Sequence, residues 1–236
     1  MPIFQLTSQL VFPNPSLADR NGLLAIGGDL TPKRLLLAYQ HGIFPWYSDE
    51  EPILWWSPNP RLVLFLNEFH ASRSLKKLIR KQPFHITLDK AFQDVIQSCA
   101  DVRIENHEGT WIIPDMTHAY CQLHKLGFAH SVEVWDQNAN LVGGIYGVSL
   151  GRSFFGESMF TRVSNASKVA LYVLVDYLKQ KSFDFIDCQV KTSHLMRFGA
   201  REISRNQFLN LLAESLKFPS YKGLWHLNCD SSDLCD

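Results

Sequence analysis

Residues 130–160 read HSVEVWDQNANLVGGIYGVSLGRSFFGESMF, and this stretch decides the fold. It contains three runs rich in β-branched and aromatic residues, which predict strands over His130–Trp135, Leu141–Leu150 and Ser153–Phe160. Polar turn residues separate the runs, first Asp136-Gln137-Asn138 and then Gly151-Arg152. Short turns join antiparallel neighbours, so the segment predicts successive antiparallel strands of one sheet.

Helices and strands alternate on both sides of this segment. On the C-terminal side we expect a helix from Ser164 to about Gln180, then a strand over Phe185–Val190. A short helix ending at Gly199 follows. The capping box Ser204-x-x-Gln207 opens a final helix over Arg205–Leu216. On the N-terminal side the patterns predict strands over Arg61–Leu66 and Phe84–Leu88, and helices over Ser72–Lys81, Lys90–Ala100 and Pro114 to about Gly127. This mixture predicts an α+β or α/β sheet domain.

The first sixty residues have a different character. Most of the 11 prolines lie there, and proline both fixes φ and removes a backbone donor. Turns and short elements are therefore predicted, apart from one helix that Thr31 caps, Pro32 opens and Gly42 ends, with Tyr39 on its apolar face. We place a boundary near Pro60-Arg61, between a small N-terminal domain of residues 1–61 and a second domain of residues 62–236.

Composition is that of a folded globular protein. Apolar residues make up 46% of the chain and charged residues 19%, which argues against disorder. No run approaches the ~18 consecutive apolar residues that span a bilayer, and residues 1–5 lack a basic leader, so we expect neither a membrane partner nor a secretory signal.

The five cysteines are odd in number and irregularly spaced, which favours a reduced, cytoplasmic protein; they are Cys99, Cys121, Cys188, Cys229 and Cys235.

Net charge does not indicate a partner. The chain has 23 basic and 23 acidic side chains, so a polyanion has to be bound by a local patch. One helix provides such a patch, because no acid interrupts its cations, which are Arg73, Lys76, Lys77, Arg80 and Lys81. Arg73, Lys77 and Arg80 form a stripe that suits successive phosphates, although an ordinary solvated face is the alternative interpretation.

Three polar side chains are candidates for chemistry. Strict alternation along the strand after the long helix places Asp187 and Gln189 on one face and Cys188 on the other. A carboxylate and an amide on a buried strand need hydrogen bonds, so the pair either orients an attacking amine or only binds backbone groups. Glu157 stands among Phe and Met residues, which favours contact with a cationic substrate group over a water-exposed strand edge.

Aromatic rings cluster at Phe44–Tyr47, Trp55-Trp56 and Trp111. Exposed rings near a basic stripe can hold an unpaired base by stacking. Packing in a core or a domain interface is the alternative, and we favour it for Trp55-Trp56.

Metal and cofactor sites are not expected. His118, Cys121 and His124 spread over too wide an arc of a helix for one ion, and the chain has no C-x-x-C motif. The pairs Gly27-Gly28 and Gly143-Gly144 lack the spacing of a phosphate-binding loop.

A set of short motifs carries a family resemblance. In order they are Asn21–Leu30, Tyr39–Trp46, Trp55–Pro58, Glu108–Trp111, His130–Trp135, Gly143–Gly147, Gly156–Phe160, Asn165–Lys168 and Ile186–Gln189. Together they resemble the bacterial leucyl/phenylalanyl-tRNA–protein transferases over almost the whole chain. The resemblance implies a small N-terminal domain and a C-terminal GNAT-like acyltransferase domain with a central mixed sheet flanked by helices. It also implies transfer of Leu, Phe or Met from aminoacyl-tRNA to proteins with N-terminal Arg or Lys, which marks them for degradation by the N-end rule pathway.

The same resemblance implies roles for individual residues. Asp187 and Gln189 match the family's proposed catalytic pair, and Glu157 matches an acid at the substrate site. Trp46 and Trp111 match tryptophans that contact the terminal adenosine of the tRNA. The basic helix with Arg73, Lys77 and Arg80 matches one that serves the tRNA backbone.

The chemistry of such a transfer limits what the residues must do. The donor ester is already activated, so neither ATP nor a metal is needed. The enzyme has to align an α-amine, whose reference pKa is about 7.7–8.0, and accept its proton. Glutamine does not titrate in this range, so we expect Asp187 to orient Gln189, whose carbonyl oxygen accepts from the amine; Asp187 as the direct base is the alternative.

An apolar pocket for the donor's side chain is expected at Met159, Phe160, Leu171 and Leu174. Glu157 is expected to face the acceptor's cationic side chain.

Two other functions are compatible with parts of the sequence. An acetyl-CoA-dependent N-acetyltransferase would share the fold, but residues 162–167 lack the glycine that lets backbone approach a pyrophosphate. A tRNA-binding adaptor without activity would explain the basic helix and the aromatic rings. It would give no reason for Glu157 or for the pair of Asp187 and Gln189.

Overall fold

The structure is a computed structural model that describes residues 3–107 and 109–227. Met1, Pro2, Glu108, Cys229 and Cys235, which entered the sequence analysis, lie outside the described residues. The described chain forms two sheets, a small one built before residue 57 and a large one built from residue 61 onward.

The N-terminal sheet has four short strands. They are β1 (Phe4–Leu6), β2 (Leu23–Gly27), β3 (Phe44–Pro45) and β4 (Leu54–Trp56), in the spatial order β1-β2-β4-β3. The predicted helix is confirmed as α1 (Pro32–Gln40), which follows Thr31 as N-cap. Gly42 has a positive φ of 69°, a conformation that ends a helix at little cost for glycine.

The large sheet is mixed and has seven strands. They are β5 (Arg61–Phe65), β6 (His85–Leu88), β7 (Ala129–Trp135), β8 (Leu141–Leu150), β9 (Ser153–Thr161), β10 (Phe185–Gln189) and β11 (Arg201–Ile203), in the order β11-β5-β10-β9-β8-β7-β6. The antiparallel strands predicted from residues 130–160 are confirmed as β7, β8 and β9. Within this sheet only β9 and β10 pair in parallel.

Helices cover both faces of the large sheet. They are α2 (Arg73–Arg80), α3 (Phe92–Glu105), α4 (Pro114–Lys125), α5 (Ala166–Gln180), α6 (Ser193–Met196) and α7 (Arg205–Ser215). One face packs on α2 and α5, and the other on α3, α4, α7 and the N-terminal sheet. The predicted class, α+β with a central mixed sheet flanked by helices, is confirmed.

The division into domains at residues 1–61 and 62–236 stays a prediction. Across this boundary, one buried cluster joins Tyr39 and Trp55 to Tyr120 and Phe155.

Two helices have ends that differ from the predictions. Helix α3 begins at Phe92 rather than Lys90, and it runs beyond Ala100 to Glu105. Helix α5 begins at Ala166, so its N-cap is Asn165 in the left-handed conformation rather than Ser164. Asparagine adopts this conformation more readily than most residues, and apolar periodicity alone does not fix the terminal turn.

The segment after α7 closes the core. Residues 217–227 form no helix or strand, yet Trp225 is completely buried. Its ring stacks on the His130 imidazole with 3.8 Å between centroids, and its backbone N–H donates to Asp89 Oδ2 at 2.7 Å. His130 Nδ1 lies 2.8 Å from the same oxygen, so a buried carboxylate connects the tail to β7.

The capping box of α7 is confirmed and carries a prediction of stability. Ser204 Oγ accepts from the Gln207 N–H at 3.2 Å, and the Ser204 N–H donates to the Gln207 side chain at 3.0 Å. Ser204→Ala removes the first bond, so we expect the free energy of unfolding to fall by about 1 kcal/mol in urea denaturation. Asn206→Ala, at an exposed position in the same turn, is the matched control; an equal loss there would contradict the cap as the cause.

Candidate active site

A cavity of about 330 Å³ opens where β9 and β10 separate. The strands pair in parallel only as far as Phe155 and Asp187, after which β9 continues along β8. Crevices beyond the carboxyl ends of parallel strands are common ligand sites. Apolar side chains dominate the walls, among them Ile145, Met159, Leu171, Ile186 and Leu195, while Glu157 and Gln189 contribute a carboxylate and an amide.

Hydroxyl groups from two helices hold the half-buried Glu157. Tyr39 of α1 donates to Glu157 Oε1 at 2.7 Å, and Tyr120 of α4 donates to Oε2 at 3.0 Å. The two hydroxyl oxygens lie 2.5 Å apart. Tyr39 therefore does more than pack on the apolar face of α1, because its hydroxyl brings the N-terminal part of the chain into the site.

The environment of Glu157 raises the pKa of its carboxyl to about 7, chiefly because burial penalises the charged form. Hydrogen bonds from Tyr39 and Tyr120 lower this pKa, and the neighbouring Asp187 carboxylate raises it. Glu157 can consequently change its protonation state near neutral pH, which is a requirement for a side chain that transfers protons.

Asp187 is completely buried in a bidentate ion pair with Arg61 of β5. Arg61 Nε donates to Oδ1 at 2.8 Å, and Nη2 donates to Oδ2 at 2.7 Å. The guanidinium lies between the rings of Phe44 and Phe208, at 4.8 and 4.5 Å from their centroids. Asp187 itself is not part of the cavity lining.

Gln189 reaches the cavity because the end of β10 is irregular. The register against β5 shifts between Asp187 and Gln189, and Gln189 has a φ of 55°. Strict alternation, which would place both side chains on one face, therefore does not hold at this point. Positive φ is uncommon outside glycine and tends to occur where function requires a particular geometry.

Both carboxylates contact Gln189, but at different places. The Gln189 backbone N–H donates to Asp187 Oδ1 at 3.0 Å. Its side-chain Nε2 donates to Glu157 Oε1 at 3.4 Å. Asp187 thus fixes the backbone of Gln189, while Glu157 fixes the direction of the amide.

Aromatic rings and a cation form the mouth of the cavity. Trp46 is 39% exposed, and its ring meets Trp111 edge-on with 6.0 Å between centroids. The Arg103 guanidinium lies 4.0 Å from the centroid of the Trp111 ring, within range of a cation–π contact. All three side chains line the cavity. Trp55 is fully buried and Trp56 packs, partly buried, against the same core, which confirms the packing role expected for this pair.

Two of the four expected donor-pocket residues line the cavity. Met159 and Leu171 form part of its wall. Phe160 points to the other face of the sheet, because side chains alternate along β9, and it packs in the core with α3. Leu174 lies about one turn further along α5 and is buried in the core between that helix and the sheet.

The predicted basic helix forms as α2. Leu75 and Ile79 are buried in the cluster that α2 shares with α5. Arg73, Lys77 and Arg80 are exposed. Because α5 also forms a wall of the cavity, the cationic stripe and the cavity lie on elements that pack together.

Four residues at or beside the cavity were missed from sequence, namely Arg61, Arg103, Tyr120 and the hydroxyl of Tyr39. A signal existed for three of them. For Tyr39 and Tyr120, a tyrosine on the apolar face of a helix buries a hydroxyl that needs a partner. An arginine at the start of a buried strand similarly needs a carboxylate. The sequence did not indicate which partner each one meets.

Within residues 3–107 and 109–227 no group of three His, Cys, Asp or Glu side chains is placed to hold a metal ion. His118 instead contacts the Gln122 side chain at 2.6 Å, and His124 contacts the Ala129 carbonyl at 2.7 Å. Over the same two ranges, the helices lack the combination of length and apolar surface that a membrane span requires.

Comparisons with known proteins cover nearly all of the chain. Residues 63–213 match the leucyl/phenylalanyl-tRNA protein transferase family, and residues 28–59 match the N-terminal domain of that family. A leucyl/phenylalanyl-tRNA–protein transferase of Desulfatibacillum aliphaticivorans is 58% identical over 98% of this chain and 99% of its own length. The protein of that name from Syntrophobacter fumaroxidans is 60% identical over 92% of each chain. Among solved structures, a GNAT-family acetyltransferase of Staphylococcus aureus matches 43% of this chain and 71% of its own. The two have a TM-score of 0.36 and 14% sequence identity.

Proposed function

The chain belongs to the leucyl/phenylalanyl-tRNA–protein transferase family, and on this premise we propose the reaction that it catalyses. As an aminoacyltransferase it moves leucine, phenylalanine or methionine from aminoacyl-tRNA to the N-terminus of an acceptor protein. The acceptor begins with Arg or Lys, and the added residue marks it for degradation by the N-end rule pathway. We place the reaction in the cytoplasm, where charged tRNAs are used.

One observation carries the proposal. The carboxylate of Glu157 and the amide of Gln189 meet in an apolar cavity whose mouth is formed by Trp46 and Trp111. An apolar cavity suits the side chain of the donor amino acid, and the polar pair suits an attacking amine. The rings suit the terminal base of a tRNA.

The donor is proposed to bind in two parts. Its side chain occupies the cavity beside Met159 and Leu171, where size separates leucine from alanine. Each methylene is worth about 1–3 kcal/mol, so such a cavity separates leucine from methionine or phenylalanine only weakly. Trp46 and Trp111 hold the terminal adenosine, since stacking on an aromatic ring contributes about 1–3 kcal/mol per base.

Gln189 is proposed to align the acceptor amine. Because its Nε2 donates to Glu157, the carbonyl oxygen at the other end of the amide is available to an amine N–H. Asp187 supports this alignment through the Gln189 backbone N–H, which favours the orienting role over that of a direct base. Glu157 is the acid beside the amine on the acceptor's side.

The cationic stripe on α2 is proposed to bind the tRNA backbone, which gives a prediction about salt. Changing Arg73, Lys77 and Arg80 together to Gln should weaken tRNA binding, and the plot of log Kd against log salt should become shallower by about two to three, because three phosphate contacts are lost. Filter binding at several salt concentrations measures both effects. A triple Gln variant at the exposed Lys33, Lys125 and Lys179 is the control, and an equal change there would contradict a specific stripe.

Incubation with labelled Leu-tRNA and an Arg-starting peptide tests the function. Mass analysis should show one leucyl group added to the peptide and none added to the same peptide with an acetylated N-terminus. An unmodified peptide would refute the proposal. Transfer from acetyl-CoA instead of the tRNA would favour an acetyltransferase.

A further inference from the structure

We propose that Glu157 is the proton acceptor of the reaction, and that it receives the proton of the attacking amine and returns it to the leaving ribose oxygen. This inference rests on the proposed function and assigns a step within it. It departs from the alternative in which Asp187 is the direct base. It also gives the acid that was expected to face the acceptor's cationic side chain a catalytic task in place of that contact.

The contacts of Asp187 leave it poorly placed for this task. Both of its oxygens accept from the Arg61 guanidinium, and Oδ1 also accepts from the Gln189 N–H. It is completely buried and does not line the cavity. A proton taken by Asp187 would have to cross Gln189 and would leave the Arg61 cation buried without its counter-charge.

Glu157 lines the cavity and keeps one acceptor position open. A carboxylate has about four such positions. Among the described residues, Tyr39 and Gln189 use those of Oε1, and Tyr120 uses one on Oε2. The remaining position on Oε2 can take a single N–H. One open position suits an amine better than a guanidinium, which usually binds a carboxylate through two parallel N–H bonds.

The two tyrosines provide a place for the incoming proton. While Glu157 is ionised, two hydroxyl protons serve three oxygen pairs: Tyr39 with Oε1, Tyr120 with Oε2, and the two hydroxyls with each other. One pair therefore lacks a proton. Protonation of Glu157 at Oε2 supplies it once the new O–H turns toward Tyr120, because Oε2–H then donates to Tyr120, Tyr120 to Tyr39, and Tyr39 to Oε1. The protonated acid completes a closed ring of hydrogen bonds.

The surroundings set the pH at which Glu157 accepts a proton. Besides Tyr39 and Tyr120, the charged and titratable groups around it are Arg61 of β5, Arg103 of α3, Tyr146 of β8, Asp187 and Cys188 of β10, and His194 of α6. Burial, opposed by the tyrosine hydrogen bonds, puts the pKa of Glu157 at about 7. The carboxyl is protonated and inactive as a base below this pH, and it is ionised and active above it.

The step conserves atoms and protons. The neutral amine attacks the ester carbonyl, and as the C–N bond forms one amine proton moves to Glu157 Oε2. When the C–O bond to the ribose breaks, Glu157 gives this proton to the departing oxygen. The products are an amide and a free ribose hydroxyl, and Glu157 is a carboxylate again.

Glu157→Gln is the informative variant. A glutamine amide can both donate and accept within the ring of the two tyrosines, as the protonated acid does, so the variant should remain folded. We expect kcat with Leu-tRNA and an Arg-starting peptide to fall at least about 100-fold at pH 8, with little change in the KM for the peptide. Below pH 7 log kcat/KM should fall with a slope of about two in the wild type, from Glu157 and the amine, and about one in the variant.

Glu133→Gln is the matched control. Glu133 is also buried and bonded to the hydroxyls of Thr87 and Ser131, but it is not part of the cavity, so its variant should keep the slope of about two. Thermal unfolding of both variants checks that they are folded. The inference is overturned if Glu157→Gln raises only the KM for the peptide and leaves kcat unchanged, or if it keeps the wild-type slope of log kcat/KM against pH. Either outcome leaves the proposed function intact. A wild type that forms no product overturns both.

Discussion

Gln189→Ala is expected to lower kcat by about 100- to 1,000-fold, because the amine and the ester lose the group that aligns them. The side chain makes one long hydrogen bond, 3.4 Å to Glu157, so little stability depends on it. The KM for aminoacyl-tRNA should stay close to the wild-type value, since the cavity walls and the mouth are unchanged. Rapid-quench measurements of a single turnover would report the chemical step directly.

Gln180→Ala is the control for this prediction. Gln180 ends α5 at an exposed position and its side chain donates to Asp176 on the same helix, so the same substitution there should leave kcat unchanged. Asp187→Asn adds a second comparison, because it alters the group that holds the Gln189 backbone. Turnover by Gln189→Ala at the rate of the Gln180→Ala control would exclude an aligning function. Unimpaired turnover by Asp187→Asn would exclude both the orienting and the basic role of that carboxylate.

Arg61→Met is expected to lower the free energy of unfolding by about 3–5 kcal/mol. The substitution leaves the Asp187 carboxylate buried without its two guanidinium bonds, and it removes the cation between Phe44 and Phe208. Urea denaturation followed by tryptophan fluorescence measures the loss. Activity should fall as well, since the end of β10 is no longer held.

The double variant Arg61→Met with Asp187→Leu separates stability from function. Replacing both charges by apolar groups removes the uncompensated carboxylate, so most of the lost stability should return. Activity should stay low, because the Gln189 N–H loses its acceptor on Asp187. A double variant that regains activity together with stability would show that the ion pair matters only for folding.

The large elements of the fold could be predicted because their signals are local. Strands β7 to β9 follow from β-branched runs between polar turns, and the capping box of α7 from residues three apart. The irregular end of β10 could not be predicted in this way, because a period of two assumes an unbroken ladder. The bulge at Gln189 depends on the pairing with β5, which lies far away in sequence.

The candidate site shows the same limit more strongly. Glu157 and Gln189 stand out as polar residues in apolar strands, so their importance could be predicted. Tyr39 meets Glu157 across 118 residues, and Arg61 meets Asp187 across 126. Periodicity identifies Tyr39 only as a buried ring, because a hydroxyl at the edge of an apolar face carries no sign of its distant partner.

The position of Trp225 has a consequence for biosynthesis. Its ring covers the His130 imidazole and also packs near Phe154 and Tyr177, so the sheet lacks part of its cover until this residue arrives. Protein synthesis proceeds from the N-terminus, and a nascent chain held in the ribosomal exit tunnel cannot place residue 225 against β7. The enzyme therefore completes its packing only after Trp225 has been synthesised and has left the tunnel. Until then the apolar surface that Trp225 covers is exposed and can be bound by chaperones.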